Sequence, residues 1–240
     1  MGKRTLTTET MGELLSELLE GGESEDPWAP ALIGRESRVR AYRNLAAKLG
    51  PRYERATFEN YEIYEQSAKG ERMSQAECVE RVERFCNDMP DRLQHGGGLV
   101  FFGRPGTGKD HLMAACMYWA ILKHGWRVLW IDGLTLAERI RGRVGNGEDE
   151  ASFLNAFLEP QILAISDPIP PKGETSVYVA DTLQRIVDRR YRACLSTWAT
   201  INVHDGREAE QRLAAPVVDR LRHGSLCLQC EWESFRKRQA

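Results

Sequence analysis

Residues 98–112 read Gly-Leu-Val-Phe-Phe-Gly-Arg-Pro-Gly-Thr-Gly-Lys-Asp-His-Leu, and no other stretch limits the fold so tightly. The spacing Gly-x-x-x-x-Gly-Lys is that of a loop that wraps phosphate. Its members are Gly103, Arg104, Pro105, Gly106, Thr107, Gly108 and Lys109, with Asp110 and His111 next in line. The flanks agree with that reading. Leu99, Val100, Phe101 and Phe102 form a short apolar run, as a buried parallel strand does. Beyond Lys109, the residues Leu112, Ala115, Cys116, Trp119, Ala120 and Leu122 recur near a period of 3.6. Glycines between strand and helix let backbone N–H groups point inward, and the helix N-terminus adds partial positive charge. Lys109 supplies a point charge for the outer phosphates of a nucleoside triphosphate.

Asp110 stands where a Ser or Thr normally gives its hydroxyl to Mg²⁺. A carboxylate is also a hard oxygen ligand, so Asp110 is a candidate metal ligand. It would sit close to phosphate charge. Two like charges 4 Å apart cost roughly 1 kcal/mol in water and roughly 4 at an effective dielectric of 20. Bound Mg²⁺ would offset much of this. The alternative is a carboxylate that merely suits the first turn of a helix.

From residue 99 onward, strand and helix patterns alternate. Strands are expected at 99–102, 127–131, 161–165, 195–201 and 225–230, and helices at 109–123, 134–143, 177–192 and 208–222. That alternation predicts an α/β fold, a parallel sheet flanked by helices. Upstream, residues 5–20 read as an amphipathic helix with Leu14, Leu15, Leu18 and Leu19 on one side, and residues 21–27 as a polar linker. Further helices are expected at 31–49 and at 77–85. The division this suggests is a helical region over 1–50 and a nucleotide-binding domain over 51–240.

A phosphate loop needs an acid at the tip of a neighbouring strand. The run Ile162-Leu163-Ala164-Ile165-Ser166-Asp167 ends in one, as a Walker B segment does. Such segments usually carry two adjacent acids. Here Ser166 holds the first place, so Asp167 is either the metal acid or the base that orients water. Asn202 ends the next expected strand, where an amide can orient water beside the γ-phosphate; otherwise it is an ordinary loop residue. Arg220 lies near the end of the last long helix. It is a candidate arginine finger, or a cation that complements the helix dipole.

The 240 residues are 42% hydrophobic and carry a net charge of −2, so no global attraction to nucleic acid exists. Contacts to DNA would come from local clusters: Arg185, Arg189, Arg190 and Arg192, or Arg236, Lys237 and Arg238. No apolar run approaches 18 residues and the first residues lack an apolar signal core, so a cytoplasmic protein without membrane contact is expected. Six scattered cysteines then mean reduced thiols. Cys227 and Cys230 look like half a metal knuckle, but they fall on an alternating segment where positions three apart face opposite ways.

Five stretches together resemble a known family. They are the loop from Gly103 to Leu112, Arg185-Ile-Val-Asp-Arg-Arg-Tyr191, Thr197-Trp-Ala-Thr-Ile-Asn202, Val217-Val-Asp-Arg-Leu221 and Trp232-Glu-Ser-Phe-Arg236. These resemble the AAA+ module of bacterial DnaC-type replicative helicase loaders, and the related IstB transposition helper ATPases. The segment Pro51-Arg-Tyr-Glu-Arg-Ala-Thr-Phe-Glu-Asn-Tyr61 resembles the part that opens this module beside the nucleotide base. The likeness covers residues 51–236. It implies an AAA+ fold and an ATP-dependent switch that grips single-stranded DNA and a hexameric replicative helicase, with self-association on assembly. By analogy Lys109 contacts phosphates, Asp167 serves metal or water, Asn202 is sensor 1 and Arg220 is the finger acting in trans. Residues 1–50 take the place of a helicase-binding domain. Asp110 and Ser166 depart from the family pattern, and both fall on the magnesium side. Slow or absent hydrolysis with intact ATP binding is the expectation.

Three functions are consistent with this reading: a helicase loader, an IstB-type transposition helper acting on duplex DNA, and a module that holds nucleotide as an assembly signal without turning it over.

Overall fold

The computed structural model describes residues 10–20, 34–64, 73–145, 147, 149–169 and 176–238. Five strands form one sheet: β1 (Leu99–Gly103), β2 (Val128–Asp132), β3 (Ile162–Ser166), β4 (Ser196–Ile201) and β5 (Leu226–Cys230). Each lies within one residue of its expected bounds. The order is β2-β3-β4-β1-β5. β1 runs parallel to both β4 and β5, and β3 parallel to β4. Burial follows that order. The interior strands β1, β3 and β4 are buried at every residue, while the edge strands β2 and β5 are partly exposed. The chain leaves β1 for one edge of the sheet and leaves β4 for the other. In open α/β sheets such a switch point creates a ligand crevice at the carboxyl ends of the strands.

The chain divides into two compact units. One comprises Asp91–Lys109 and Leu129–Ala240. Its core shows both sequence periods at once. Val100 and Phe102, Leu163 and Ile165, and Ala199 and Ile201 face one side of the sheet at period 2. They meet Val179, Leu183, Ile186 and Val187 of α8 (Val177–Arg192) at helical spacing. Arg190, on the same helix, is fully buried. Its Nε donates to Thr197 Oγ1 at 3.1 Å, and Nη1 and Nη2 donate to the carbonyls of Pro160 and Gln161 at 3.0 Å each. The carbonyls of Phe157 and Ser196 take the remaining two donors. All five guanidinium N–H groups are thus matched. Burial pulls its pKa down to about 9, which leaves it cationic at neutral pH.

One expected helix is two. Residues 208–222 divide into α9 (Gly206–Leu213) and α10 (Ala215–Arg222), separated by Ala214 at φ 72°. Pro216 is the cause: it lacks an N–H and its ring clashes with the preceding turn, so it is tolerated only where a new helix begins. Asp205 caps the start of α9, and the Glu208 side chain reaches back to the residue before that cap. Glu208 N donates to Asp205 Oδ1 at 2.9 Å and His204 N to Glu208 Oε2 at 2.7 Å. Three short helices escaped the sequence reading: α4 (Met89–Gln94), α7 (Glu150–Asn155) and α11 (Phe235–Arg238). α6 (Gly133–Gly145) was expected.

The other unit comprises Met1–Pro90 and Asp110–Val128. α1 (Met11–Glu20) starts on a capping box between Thr10 and Glu13, and packs against α2 (Arg35–Leu49) with Met11 and Leu14 buried. The expected residues 5–9 and the linker at 21–27 lie outside the described residues. α3 (Gln75–Asn87) buries Cys78, Val79, Val82, Phe85 and Cys86. α5 (Lys109–His124), whose residues beyond Lys109 fall in this unit, is buried on every side from Leu112 to Leu122. Arg38 of α2 donates to the carbonyls of Leu122 and Lys123 at 3.3 Å, which satisfies the open end of α5.

Candidate nucleotide-binding site

The loop after β1 turns through three glycines in conformations that L side chains avoid: Gly103 (φ 144°), Gly106 (φ 86°) and Gly108 (φ 84°). Space is as restrictive as conformation. A Cβ on Gly103 would lie 2.1 Å from the carbonyl oxygen of Cys230, its partner on β5. A Cβ on Gly106 would lie 2.0 Å from Ser234 Oγ. Thr107 Oγ1 closes the loop on itself by donating to Arg104 O at 3.0 Å.

Lys109 opens α5 and is buried. Its Nζ donates to Gly103 O at 2.9 Å, Arg104 O at 2.8 Å and Asn202 Oδ1 at 2.9 Å. Asn202 follows β4, and its Nδ2 donates to Asp167 Oδ2 at 2.7 Å. Asp167 follows β3 in a left-handed conformation (φ 51°), with its N–H held by Thr200 O at 2.8 Å. The carboxyl ends of β1, β3 and β4 therefore deliver a cation, an acid and an amide to one place. The cleft also needs Gly133: a Cβ there would meet Asp167 O at 2.2 Å. Sequence reasoning missed this glycine, because nothing local marks the close approach of two loops.

The register of the β3 tip is now fixed. Ser166 pairs with Thr200 across the sheet and is buried, and Thr200 Oγ1 donates to Ser166 Oγ at 3.4 Å. Asp167 is the residue that turns toward Lys109 and Asn202. The donor set suits a nucleoside triphosphate: a glycine-rich loop after a buried strand, a buried lysine and a helix N-terminus. Asp167 is of the right chemistry for Mg²⁺.

Asp110 and His111 continue α5 and belong to the other compact unit. Asp110 is half-buried. The His111 ring is held within that unit: Nε2 contacts Thr57 O at 2.8 Å and Tyr61 packs edge-on at 5.3 Å. Because a carbonyl only accepts, Nε2 carries the proton. Burial lowers the pKa of His111, the Thr57 contact opposing it. His111 thus anchors the 51–61 segment to the helix that starts at Lys109.

Arg220 is not brought to Lys109. It lines a small cavity with Gly96, Leu195, Thr197 and Ser225, around the amino ends of β1, β4 and β5. Its Nη2 meets Asp188 Oδ1 at 2.8 Å, its Nη1 donates to Pro216 O at 2.9 Å, and it lies over Tyr191 at 5.9 Å.

The basic cluster on α8 is split between the core and the surface, where Arg189 is exposed. Arg190 is interior, Arg185 pairs with Glu150 and Arg192 with Asp188. Helical spacing put these four arginines together in sequence but sent one into the core. Arg236 is exposed on α11; the side chains of Lys237 and Arg238 lie outside the described residues. Cys227 packs against the sheet core from β5 and Cys230 is buried. Among the described residues no helix is long and apolar enough to cross a membrane.

A family model described as IstB-like ATP binding protein matches residues 28–240. The replicative helicase loader DnaC of Buchnera aphidicola (subsp. Schizaphis graminum) is 29% identical over 226 residues, which covers 92% of this chain and 86% of the relative. DnaC of Escherichia coli strain K12 shows the same identity and coverage. The crystal structure of the DnaC helicase loader superposes with a TM-score of 0.64 at 24% identity, over 75% of this chain and 99% of that one. The AAA+ fold and the resemblance read from the loop and its companion motifs are both borne out.

Proposed function

The chain belongs to the IstB-like ATP binding protein family, and from that premise we propose that it is an ATP-binding helicase loader of DNA replication, which engages a hexameric replicative helicase and single-stranded DNA according to its nucleotide state. The observation that carries this reading is the hydrogen-bonded line from Lys109 through Asn202 to Asp167. Phosphate oxygens compete with Asn202 and with two loop carbonyls for the ammonium of Lys109. Each transfer of a Lys109 bond to phosphate alters what Asn202 must satisfy, and Asn202 leads directly into α9. Nucleotide at β1 is thereby reported at the end of β4.

Asp167 is the residue beside Lys109 and Asn202 that would hold magnesium, which would neutralise phosphate charge. Asp167 alone supplies carboxylate at the tip of β3, since Ser166 carries only a hydroxyl, which lies against Thr200. That favours slow hydrolysis, and makes bound ATP the signal. Residues 1–50 serve as the helicase-binding region and 51–240 as the AAA+ module. Arg220 completes a neighbour's site when copies assemble.

The test is capture of a purified hexameric replicative helicase by the purified chain with ATP, with ADP and without nucleotide, alongside single-strand affinity measured at several salt concentrations. ATP-dependent capture and a salt-sensitive single-strand affinity are expected. Binding that requires duplex DNA and ignores the helicase would identify a transposition helper instead.

A further inference from the structure

The segment that follows β5 passes over the phosphate loop. Trp232 is buried, and its Nε1 donates to the carbonyl of Thr107 at 2.7 Å. Phe235 N donates to the carbonyl of Gly106 at 2.9 Å. Between them Ser234 packs on Gly106, its Oγ 2.0 Å from where a Cβ on that glycine would lie. Two successive peptide groups of the loop are thus held by residues more than a hundred positions later in the chain.

A trans peptide is planar, with its C=O and its N–H pointing in opposite directions. Fixing the carbonyl of Gly106 outward therefore aims the N–H of Thr107 inward, and fixing the carbonyl of Thr107 aims the N–H of Gly108. The loop's earlier carbonyls, Gly103 and Arg104, are held by Lys109 itself. Pro105 has no N–H to offer. The N–H groups of Thr107 and Gly108 are the donors that most need orienting, and glycine on either side of Thr107 gives the chain little stiffness of its own. We propose that Trp232 is a positioning residue of the nucleotide site: its indole N–H, with the Phe235 backbone, locks the loop's peptide planes in the orientation that receives phosphate.

This inference rests on the reading that residues 103–109 hold nucleotide phosphates. Trp232→Phe keeps an aromatic ring but removes the N–H together with the five-membered ring that carries it. Trp198→Phe is the matched control, because its buried indole donates at 2.8 Å to Ser196 Oγ, away from the loop. Each full-length variant is measured for melting temperature, for labelled ATP, for competition by tripolyphosphate, which has only loop contacts to use, and for amide exchange of the loop without nucleotide. Trp232→Phe is expected to weaken ATP and tripolyphosphate by the same factor, roughly three- to tenfold. It should also speed exchange in the loop. Trp198→Phe should do neither, whatever it does to the melting temperature. Wild-type affinity in Trp232→Phe with unchanged exchange overturns the proposal, as does a loss in both variants that simply follows melting temperature. Faster loop exchange in a protein whose wild type binds no ATP would instead overturn the nucleotide reading and leave the clamp as a structural contact only.

Discussion

Lys109 and Asp167 are joined through a single side chain: Asn202 accepts from the lysine at 2.9 Å and donates to the carboxylate at 2.7 Å. The two ends fix the amide's orientation, since an ammonium only donates and a carboxylate only accepts. Asn202 is therefore placed to register any change at either end.

Asn202→Leu should uncouple binding from response. Nucleotide affinity is expected to stay within about threefold of wild type, because Lys109 keeps its loop carbonyls and its reach. The dependence of single-strand affinity on ATP should vanish. Anisotropy titrations with and without ATP measure this, and an intact ATP effect would remove Asn202 from the switch.

Asp110→Thr restores the hydroxyl that the loop pattern ordinarily has. Phosphate release should rise roughly tenfold, about 1.4 kcal/mol in the barrier. A lower rate would identify the Asp110 carboxylate as the metal ligand in this chain.

Arg190→Lys tests the interior of the larger unit. Lysine offers three donors on a point charge, where five acceptors wait for a planar fork. A loss of about 2–4 kcal/mol in unfolding free energy is expected from denaturant titration. Nucleotide affinity of the folded fraction should not change, because none of these acceptors belongs to the loop.

Burial holds the pKa of His111 below the ordinary value, against the Thr57 contact. As pH falls below about 6.5 the unfolded chain takes up a proton that the folded chain resists. Its contribution is whole above that pH and drains away as the pH falls through the lower folded value. Melting temperature should therefore drop on acidification from neutral pH. The drop should be shallower in His111→Gln, whose amide can still donate to Thr57. His124 is lowered by burial as well, so the slope is reduced and not abolished. Equal slopes in both proteins would contradict this assignment.

Much of this was legible in sequence, for physical reasons that differ between elements. The strands were readable because the interior ones are buried on both faces and stand out as apolar runs. The loop was readable because glycine, lysine and helix must follow one another at fixed spacing. Asn202 and Asp167 could be placed at strand tips, but their meeting with Lys109 depends on strand order, which no local pattern encodes. Arg190 defeated sequence reasoning since an arginine among arginines looks like a solvated face. Pro216 was a visible helix breaker whose effect on residues 208–222 was not drawn. Trp232 was noticed only as part of a motif, because its contact with Thr107 spans 125 positions.

The most direct test of the account is equilibrium binding of labelled ATP, with Mg²⁺, to the wild-type chain and to Lys109→Ala. Lys109 donates both to the loop and to Asn202, so its removal should weaken binding roughly ten- to a hundredfold, the worth of one or two charge-assisted hydrogen bonds. Wild-type affinity in Lys109→Ala, with the fold intact by melting temperature, would contradict the claim that this loop holds the nucleotide.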